Sequence, residues 1–167
     1  MTEFAYRAEV HAIADRHGLD PDLVIAVCLV ESSGRTNAYR YEPNFWIRYL
    51  AGKPEWDGAN PHRVSASYGL MQVMFPVALE HGFDRDDPPE HLFVPIVGIE
   101  FGCRVLAGRL KWANAAAADV SQDVRLRAAL ASYNGGKGGN EADHRPDRNA
   151  LYANKVLFTL AQVRMAK

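Results

Sequence analysis

An almost unbroken apolar run that ends on a carboxylate constrains this chain more than any other segment. The run opens with Asp20-Pro21-Asp22 and is apolar at every position from Leu23 to Val30, immediately before Glu31. Asp20 is a favourable N-cap, Pro21 suits the first helical position, and a negative charge in the first turn complements the helix dipole. Because no polar face remains over two turns, we expect a helix that the rest of the protein encloses.

Glu31 is predicted to emerge at the edge of the core. A carboxylate held against apolar surface loses hydration when it ionises, so its pKa rises and it can keep a proton near neutral pH. A general acid requires that property. The plainer interpretation is that Glu31 is the polar end of a buried helix, satisfied by backbone N–H groups or by Arg35. Both interpretations fit this segment.

Length and charge limit the class of protein. The chain has 167 residues, of which 48% are hydrophobic and 23% charged, and its formal net charge is −1. These values predict one domain over residues 1–167, without the basic field that attracts nucleic acid. No apolar run reaches the roughly 18 residues of a membrane span, and the first residues lack the apolar segment of an export signal. We therefore expect no integral membrane segment.

Helical patterns dominate the remainder, so the predicted fold class is mainly α. Helices are predicted over residues 3–17 (capped by Thr2), 77–82, 94–118, 123–133 and 149–163. Residues 35–66 form an insert of uncertain structure in which residues 44–50 favour a short helix. Cys28 and Cys103 lie in apolar helical patterns, and whether they pair is open. The six histidines lack ligand spacing with these cysteines, so no metal site or cofactor is predicted.

Three short motifs occur in a defined order along the chain. They are Glu31-Ser32, Gly69-Leu70-Met71-Gln72 and Ala131-Ser132-Tyr133-Asn134-Gly135-Gly136. With the approach over residues 18–26 and the closing segment over residues 151–157, this order resembles the lytic transglycosylase SLT domain of the lysozyme-like superfamily. The resemblance covers about residues 10–160. It implies a helical lysozyme-like domain with a substrate cleft.

The resemblance also implies a reaction. Glu31 matches the family's catalytic acid, which protonates the glycosidic oxygen between N-acetylmuramic acid (MurNAc) and N-acetylglucosamine (GlcNAc) in peptidoglycan. In the family the C6 hydroxyl of the sugar then captures the oxocarbenium-like species and gives a 1,6-anhydro product. Glu31 would act first as acid and then as base.

Further substrate-binding positions follow from the same motifs. Ser32 matches a serine that helps orient substrate, while Met71 and Gln72 match cleft-lining positions, with Gln72 as hydrogen-bond donor to sugar. Tyr133 matches a tyrosine whose hydroxyl lies near the acid, and Asn134 is expected to brace the turn beside it.

The segment between Glu31 and Gly69 is longer than the common family spacing. It contains Glu42, Glu55 and Asp57, any of which would turn the enzyme into a water-using muramidase, like goose-type lysozyme, if it reached the cleft as a base. The alternative is that these acids are solvated loop charges or, for Glu42, the partner of a nearby arginine.

Aromatic residues are dense in the same insert: Tyr39, Tyr41, Phe45, Trp46 and Trp56. They suit sugar-stacking walls, although core packing is the other role for Phe45 and Trp46.

A catalytically silent peptidoglycan-binding module of a phage or secretion apparatus is the alternative of a different class. The expected site of action is the bacterial cell wall, reached in the periplasm, from outside the cell or by phage delivery, and the expected state is a monomer.

Overall fold

Helices dominate the computed structural model, which describes residues 4–116, 119–141 and 146–166. The α-helices are α1 (Arg7–Arg16), α2 (Pro21–Ser32), α3 (Pro43–Phe45), α4 (Pro61–Val64), α5 (Phe75–Glu80), α6 (Pro95–Ala116), α7 (Gln122–Glu141) and α8 (Pro146–Met165). Strands β1 (Tyr39–Tyr41), β2 (Ala66–Tyr68) and β3 (Val73–Met74) form one antiparallel sheet in that order. The mainly α prediction is confirmed. The sheet has no sequence signal, because strands of two or three residues are too short to show alternation.

Helix α2 is the centre of the core, as its sequence predicts. The Asp20 carboxylate accepts a hydrogen bond from the Asp22 backbone N–H at 2.9 Å, and Pro21 is the first helical residue. Every residue from Leu23 to Cys28 is buried. Helix α1 packs on one side of α2 and α8 on another, so the apolar run is enclosed without a polar face.

Helix α1 begins later than predicted. The sequence favours a start at Glu3 with Thr2 as cap, and both residues lie outside the described part of the chain, but the helix starts only at Arg7. Phe4 is buried in the core, where its ring lies beside Gly34. Placing that ring in the core requires the chain to turn before the helix starts, so tertiary packing overrides the local helical pattern.

The insert over residues 35–66 is an ordered loop closed at its neck. Strand β1 pairs with β2, and the Glu42 backbone N–H donates to the Ser65 carbonyl at 2.8 Å. The Ser65 hydroxyl donates back to the Glu42 carbonyl at 2.8 Å. Helix α3 continues into a π-helical turn at Trp46–Leu50, which confirms the predicted short helix, and a 3-10 turn follows at Pro54–Trp56.

The three C-terminal helices complete the core against α2. Helix α7 contacts α6 and α8, and α8 also contacts α2. The predicted stop of this helix in the segment that begins at Asn134 agrees with a break in helical geometry at Gly136, which has φ 74°; a second helical stretch, not predicted, runs on to Glu141. A glycine tolerates this positive φ, so the glycine-rich segment is where the helical direction changes. Among the described helices, none is long and apolar enough to cross a membrane.

Candidate active site

A cleft of about 720 Å³ opens where the end of α2 meets the sheet and the insert. Glu31 lines it at the end of α2, together with residues of the insert between positions 40 and 56, residues 72–74, and parts of α5, α6 and α7. The described residues thus bring Glu31, Glu42, Gln72, Tyr133 and Asn134 of the predicted site into one cavity. Ser32 and Met71 are not among its lining residues.

Glu31 lies one residue before the end of α2, where the buried helix meets the cleft. Burial raises the pKa of its carboxyl group, the direction predicted from the sequence. The charges of Arg40 and Lys155 lower this pKa, whereas that of Glu42 raises it, and burial is the largest of these effects. Glu31 therefore combines a raised pKa with a position in the wall of the cavity.

The hydroxyl of Tyr152, on α8, donates to Oε1 of Glu31 at 2.6 Å. This hydrogen bond lowers the pKa of Glu31 and is the largest effect opposing burial. Burial and the Glu31 charge raise the pKa of Tyr152 well above its ordinary value, so the phenol keeps its proton and acts as a donor. Sequence reasoning missed this contact. The only available signal was the position of Tyr152 in the closing segment that resembles the family.

Tyr133 is expected near the acid, and the structure gives the hydrogen-bond partner of its hydroxyl. Its hydroxyl donates to the Met71 carbonyl at 2.8 Å, not to Glu31. Burial is the main cause that raises the pKa of Tyr133, followed by the charge of Glu31, so its hydroxyl is within electrostatic range of the acid. Asn134 follows it at the exposed rim of the cleft.

Ser32 is a structural anchor in this fold, which corrects the expected contact with substrate. Its side chain is only 1% exposed, and its hydroxyl lies 2.9 Å from the carbonyls of both Cys28 and Leu70. The bond to Leu70 ties the end of α2 to the segment between β2 and β3. The serine therefore sets the position of that segment relative to Glu31 and has no free face for a sugar.

Met71 is also placed differently from the prediction, because it is fully buried in the core. It packs against Gly102 of α6, where even a methyl group would collide with the Met71 side chain. No sequence signal pairs these two positions. Met71 contributes to the site through its carbonyl, which accepts from Tyr133.

Gln72 lines the cleft, but its amide donors are already used. The side-chain N–H₂ group donates to the carbonyls of Ala38 and Gly69, each at 3.0 Å. Its backbone has φ 48°, an uncommon conformation for a residue other than glycine. The expected role as a donor to sugar is therefore corrected: the amide oxygen, an acceptor, is the atom left for a ligand.

A charged pair lies in the cleft wall. Arg40 lies on β1, Glu42 follows directly after the strand, two residues later, and both line the cleft. The Arg40 Nε donates to the Glu42 carboxylate. Glu42 is thus an arginine partner, one of the roles considered from the sequence. Glu55 also lines the cleft, while Asp57 is not among the lining residues.

Aromatic rings of the insert form part of the cleft wall. Phe45 and Tyr49 lie with ring centroids 4.9 Å apart, and Tyr49 is 47% exposed. Trp56 is buried under the guanidinium of Arg85, which lies 4.8 Å from the ring centroid. Phe45 and Tyr49 therefore offer an apolar face of the kind that stacks on sugar rings.

The described residues contain no group of histidines, cysteines and acids able to hold a metal ion. Cys28 and Cys103 are buried free thiols, and burial raises the pKa of each. The chemistry offered by the cleft is thus that of a carboxyl group with a raised pKa, Glu31, two phenols near it and a charged, partly aromatic wall.

Comparison with known proteins places this geometry in context. The family model described as Transglycosylase SLT domain matches residues 9–156. The fold is similar to that in the X-ray structure of an inactive mutant of lytic transglycosylase Slt from Pseudomonas aeruginosa, with a TM-score of 0.67 and 21% identity. That match covers 98% of this chain but only 24% of the Slt chain. No curated relative matches the chain significantly.

Proposed function

The chain belongs to the transglycosylase SLT domain family, and on that premise we propose that it cleaves the glycan strands of peptidoglycan by a lytic transglycosylase reaction. The observation that carries the proposal is Glu31, a carboxyl group with a raised pKa at the wall of a cleft, held by the hydroxyl of Tyr152. This combination is what a general acid for glycosidic cleavage requires.

The proposed reaction needs no carboxylate other than Glu31. Its proton passes to the oxygen that joins MurNAc C1 to GlcNAc as that C1–O bond breaks. The C6 hydroxyl oxygen of the same MurNAc then bonds to C1, and its proton passes to the Glu31 carboxylate. The products are a 1,6-anhydroMurNAc end and a free GlcNAc hydroxyl, and Glu31 is again protonated for the next cycle.

Tyr152 and the cleft wall have supporting roles in this proposal. While Glu31 is ionised, the 2.6 Å hydrogen bond from Tyr152 stabilises its charge without removing its basicity. The exposed face of Tyr49 provides a stacking surface for the glycan strand. The site of action would be the bacterial cell wall, with a monomer as the expected working unit.

Glu42 is the alternative base for a hydrolytic reaction, because it lines the same cleft as Glu31. Its ion pair with Arg40 occupies one of its carboxylate oxygens. Glycosidases with two carboxylates use the second as nucleophile or as base for water. In the transglycosylase reaction Glu42 instead acts only through its charge, which raises the pKa of Glu31.

Mass spectrometry of fragments released from purified peptidoglycan tests the proposal. We expect anhydroMurNAc ends from the wild type, the same products from Glu42→Gln, and no release from Glu31→Gln. If the wild type instead releases reducing MurNAc ends and Glu42→Gln does not, the reaction is hydrolysis with Glu42 as the base. Equal release by Glu31→Gln and wild type would refute Glu31 as the acid, and absence of release with retained wall binding would favour a non-catalytic module.

A further inference from the structure

Arg109 is a cleft residue for which the proposed reaction has no use. It belongs to α6 and lines the cleft together with Val105, one helical turn earlier. It therefore adds a cationic side chain of α6 to the cleft wall.

Among the described residues no hydrogen bond or ion pair holds the Arg109 guanidinium. Its Nε is shielded from solvent and has no acceptor. Glu80 also lines the cleft and acts on Arg109 electrostatically, but not within ion-pair distance, and burial lowers the pKa of the guanidinium. A partly desolvated cation without a partner is unfavourable in the free protein, and an incoming anion would relieve that cost.

Most of the other arginines that the structure describes have a partner. Ion pairs to carboxylates hold Arg40, Arg63, Arg104, Arg127 and Arg164. Arg85, which also lines the cleft, lies over an aromatic ring and donates to a carbonyl. Among these arginines only Arg109 has all its donors unused in the cleft wall. Its planar guanidinium can bind a carboxylate through two parallel hydrogen bonds.

The position of Arg109 relates it to the acid through Tyr133. The Tyr133 hydroxyl is within electrostatic range of both Glu31 and Arg109. Glu31 and Arg109 line the same cleft, so a glycan strand bound with a glycosidic oxygen at Glu31 lies in a cleft whose wall includes Arg109. In peptidoglycan the substituent of MurNAc is a lactyl arm, which ends in a carboxylate or continues into an acidic peptide.

We infer that Arg109 binds a carboxylate carried on the lactyl arm of MurNAc and thereby selects muramic acid strands over neutral glycans. The inference rests on the proposed substrate class. The carboxylate has two sources, the lactyl acid itself in a stripped strand or a free carboxylate of an attached peptide.

Binding of short, uncleavable ligands tests the inference apart from catalysis. GlcNAc–MurNAc carries the lactyl acid, GlcNAc–MurNAc–L-Ala–D-Glu carries peptide carboxylates, and chitobiose carries none. None of them contains the MurNAc–GlcNAc bond that the proposed reaction cleaves, so calorimetric affinities do not depend on turnover. The matched variants are Arg109→Gln and Lys111→Gln, because Lys111 is an exposed cation on the same helix that does not line the cleft.

We expect Arg109→Gln to bind at least one of the two acidic ligands about ten-fold more weakly than the wild type, as for loss of a charge-assisted pair. Lys111→Gln should bind them as the wild type does, and chitobiose should not distinguish the three proteins. The acidic ligand that loses affinity identifies the source of the carboxylate.

Three results would overturn the inference. Arg109→Gln could lose as much affinity for chitobiose as for the acidic ligands, or it could lose no affinity for either acidic ligand. The third is that the wild type does not bind the acidic ligands. Loss of the fold is not expected, because the substitution removes an unpaired, partly buried charge; Arg109→Lys, which keeps the charge, should recover part of the affinity. If the protein binds peptidoglycan through Arg109 but never cleaves it, the proposed reaction is refuted while the inferred carboxylate site is retained.

Discussion

Replacing Ser32 with alanine should destabilise the fold through one tertiary hydrogen bond. The Ser32 hydroxyl is buried and lies 2.9 Å from the Leu70 carbonyl, 38 residues away in the chain. Its second neighbour, the Cys28 carbonyl, belongs to the same helix. Alanine removes the hydroxyl and leaves the Leu70 carbonyl in buried surroundings without this donor.

The expected magnitude follows from three contributions. A net hydrogen bond is worth about 0.5–1.5 kcal/mol, and a buried carbonyl left without its donor raises the loss to about 1–3 kcal/mol. Alanine returns up to about 0.5 kcal/mol because it favours helix more than serine does. The free energy of unfolding should therefore fall by about 1–2 kcal/mol, which lowers Tm by about 2–8 °C in a domain of this size.

Ser132 provides a matched control. It is equally buried, but its hydroxyl donates at 2.8 Å to the Ala129 carbonyl of its own helix. That carbonyl lies inside α7, where a helical N–H is also available to it. Ser132→Ala should therefore remain within about 0.5 kcal/mol of the wild type.

Urea titration followed by far-UV circular dichroism measures both variants on one scale. Equal free energies of unfolding for Ser32→Ala and Ser132→Ala would refute the structural role of the Ser32–Leu70 bond. A raised KM for Ser32→Ala with unchanged stability would restore the expectation, drawn from the motif, that this serine contacts substrate.

Three further predictions concern the acid and the backbone around it. Burial raises the pKa of Glu31 in the folded state above its value in the unfolded chain. As the pH rises above the unfolded-state pKa, the unfolded chain ionises more readily than the folded protein, and the free energy of unfolding falls. Glu31→Gln should therefore be more stable relative to the wild type at about pH 8 than at about pH 4. A gain that is constant with pH in urea titrations would contradict this. Tyr152→Phe removes a donor that lowers the pKa of Glu31, so the alkaline limb of the pH–rate profile should move to higher pH. Tyr133→Phe should leave that limb in place, since the Tyr133 hydroxyl donates elsewhere, and equal shifts in both variants would count against the assignment. Gly69 and Gly18 both have positive φ, but only at Gly69 would a side chain collide with a neighbouring backbone carbonyl. Thermal melting should therefore show a loss of about 1–2 kcal/mol for Gly18→Ala and about 1–3 kcal/mol more for Gly69→Ala; similar losses would refute the packing argument.

The sequence predicts those features that local chemistry decides. The start of α2 follows from Asp20 and Pro21, whose preferences act within one helical turn. The raised pKa of Glu31 follows from the apolar run before it, because that run has to be buried. Both arguments use residues that are neighbours in the chain.

Features that depend on distant contacts escape the sequence. The resemblance assigns Met71 to the cleft, and nothing in its own segment indicates that Gly102 makes room for it in the core. Tyr133 and Tyr152 are both aromatic residues on helices, and only the packing of α7 and α8 decides which hydroxyl reaches Glu31. The neck of the insert likewise depends on Glu42 meeting a partner 23 residues later.

The hydrogen bond from Tyr152 to Glu31 joins residues 121 positions apart in the chain. Chains are synthesised from the N-terminus, so Glu31 leaves the ribosome long before its phenolic partner does. Until α8 docks, α2 also lacks one of the helices that bury its apolar surface. Docking of α8 thus both completes the core around α2 and brings the Tyr152 hydroxyl to Glu31. A partly synthesised or partly folded chain therefore has no assembled site.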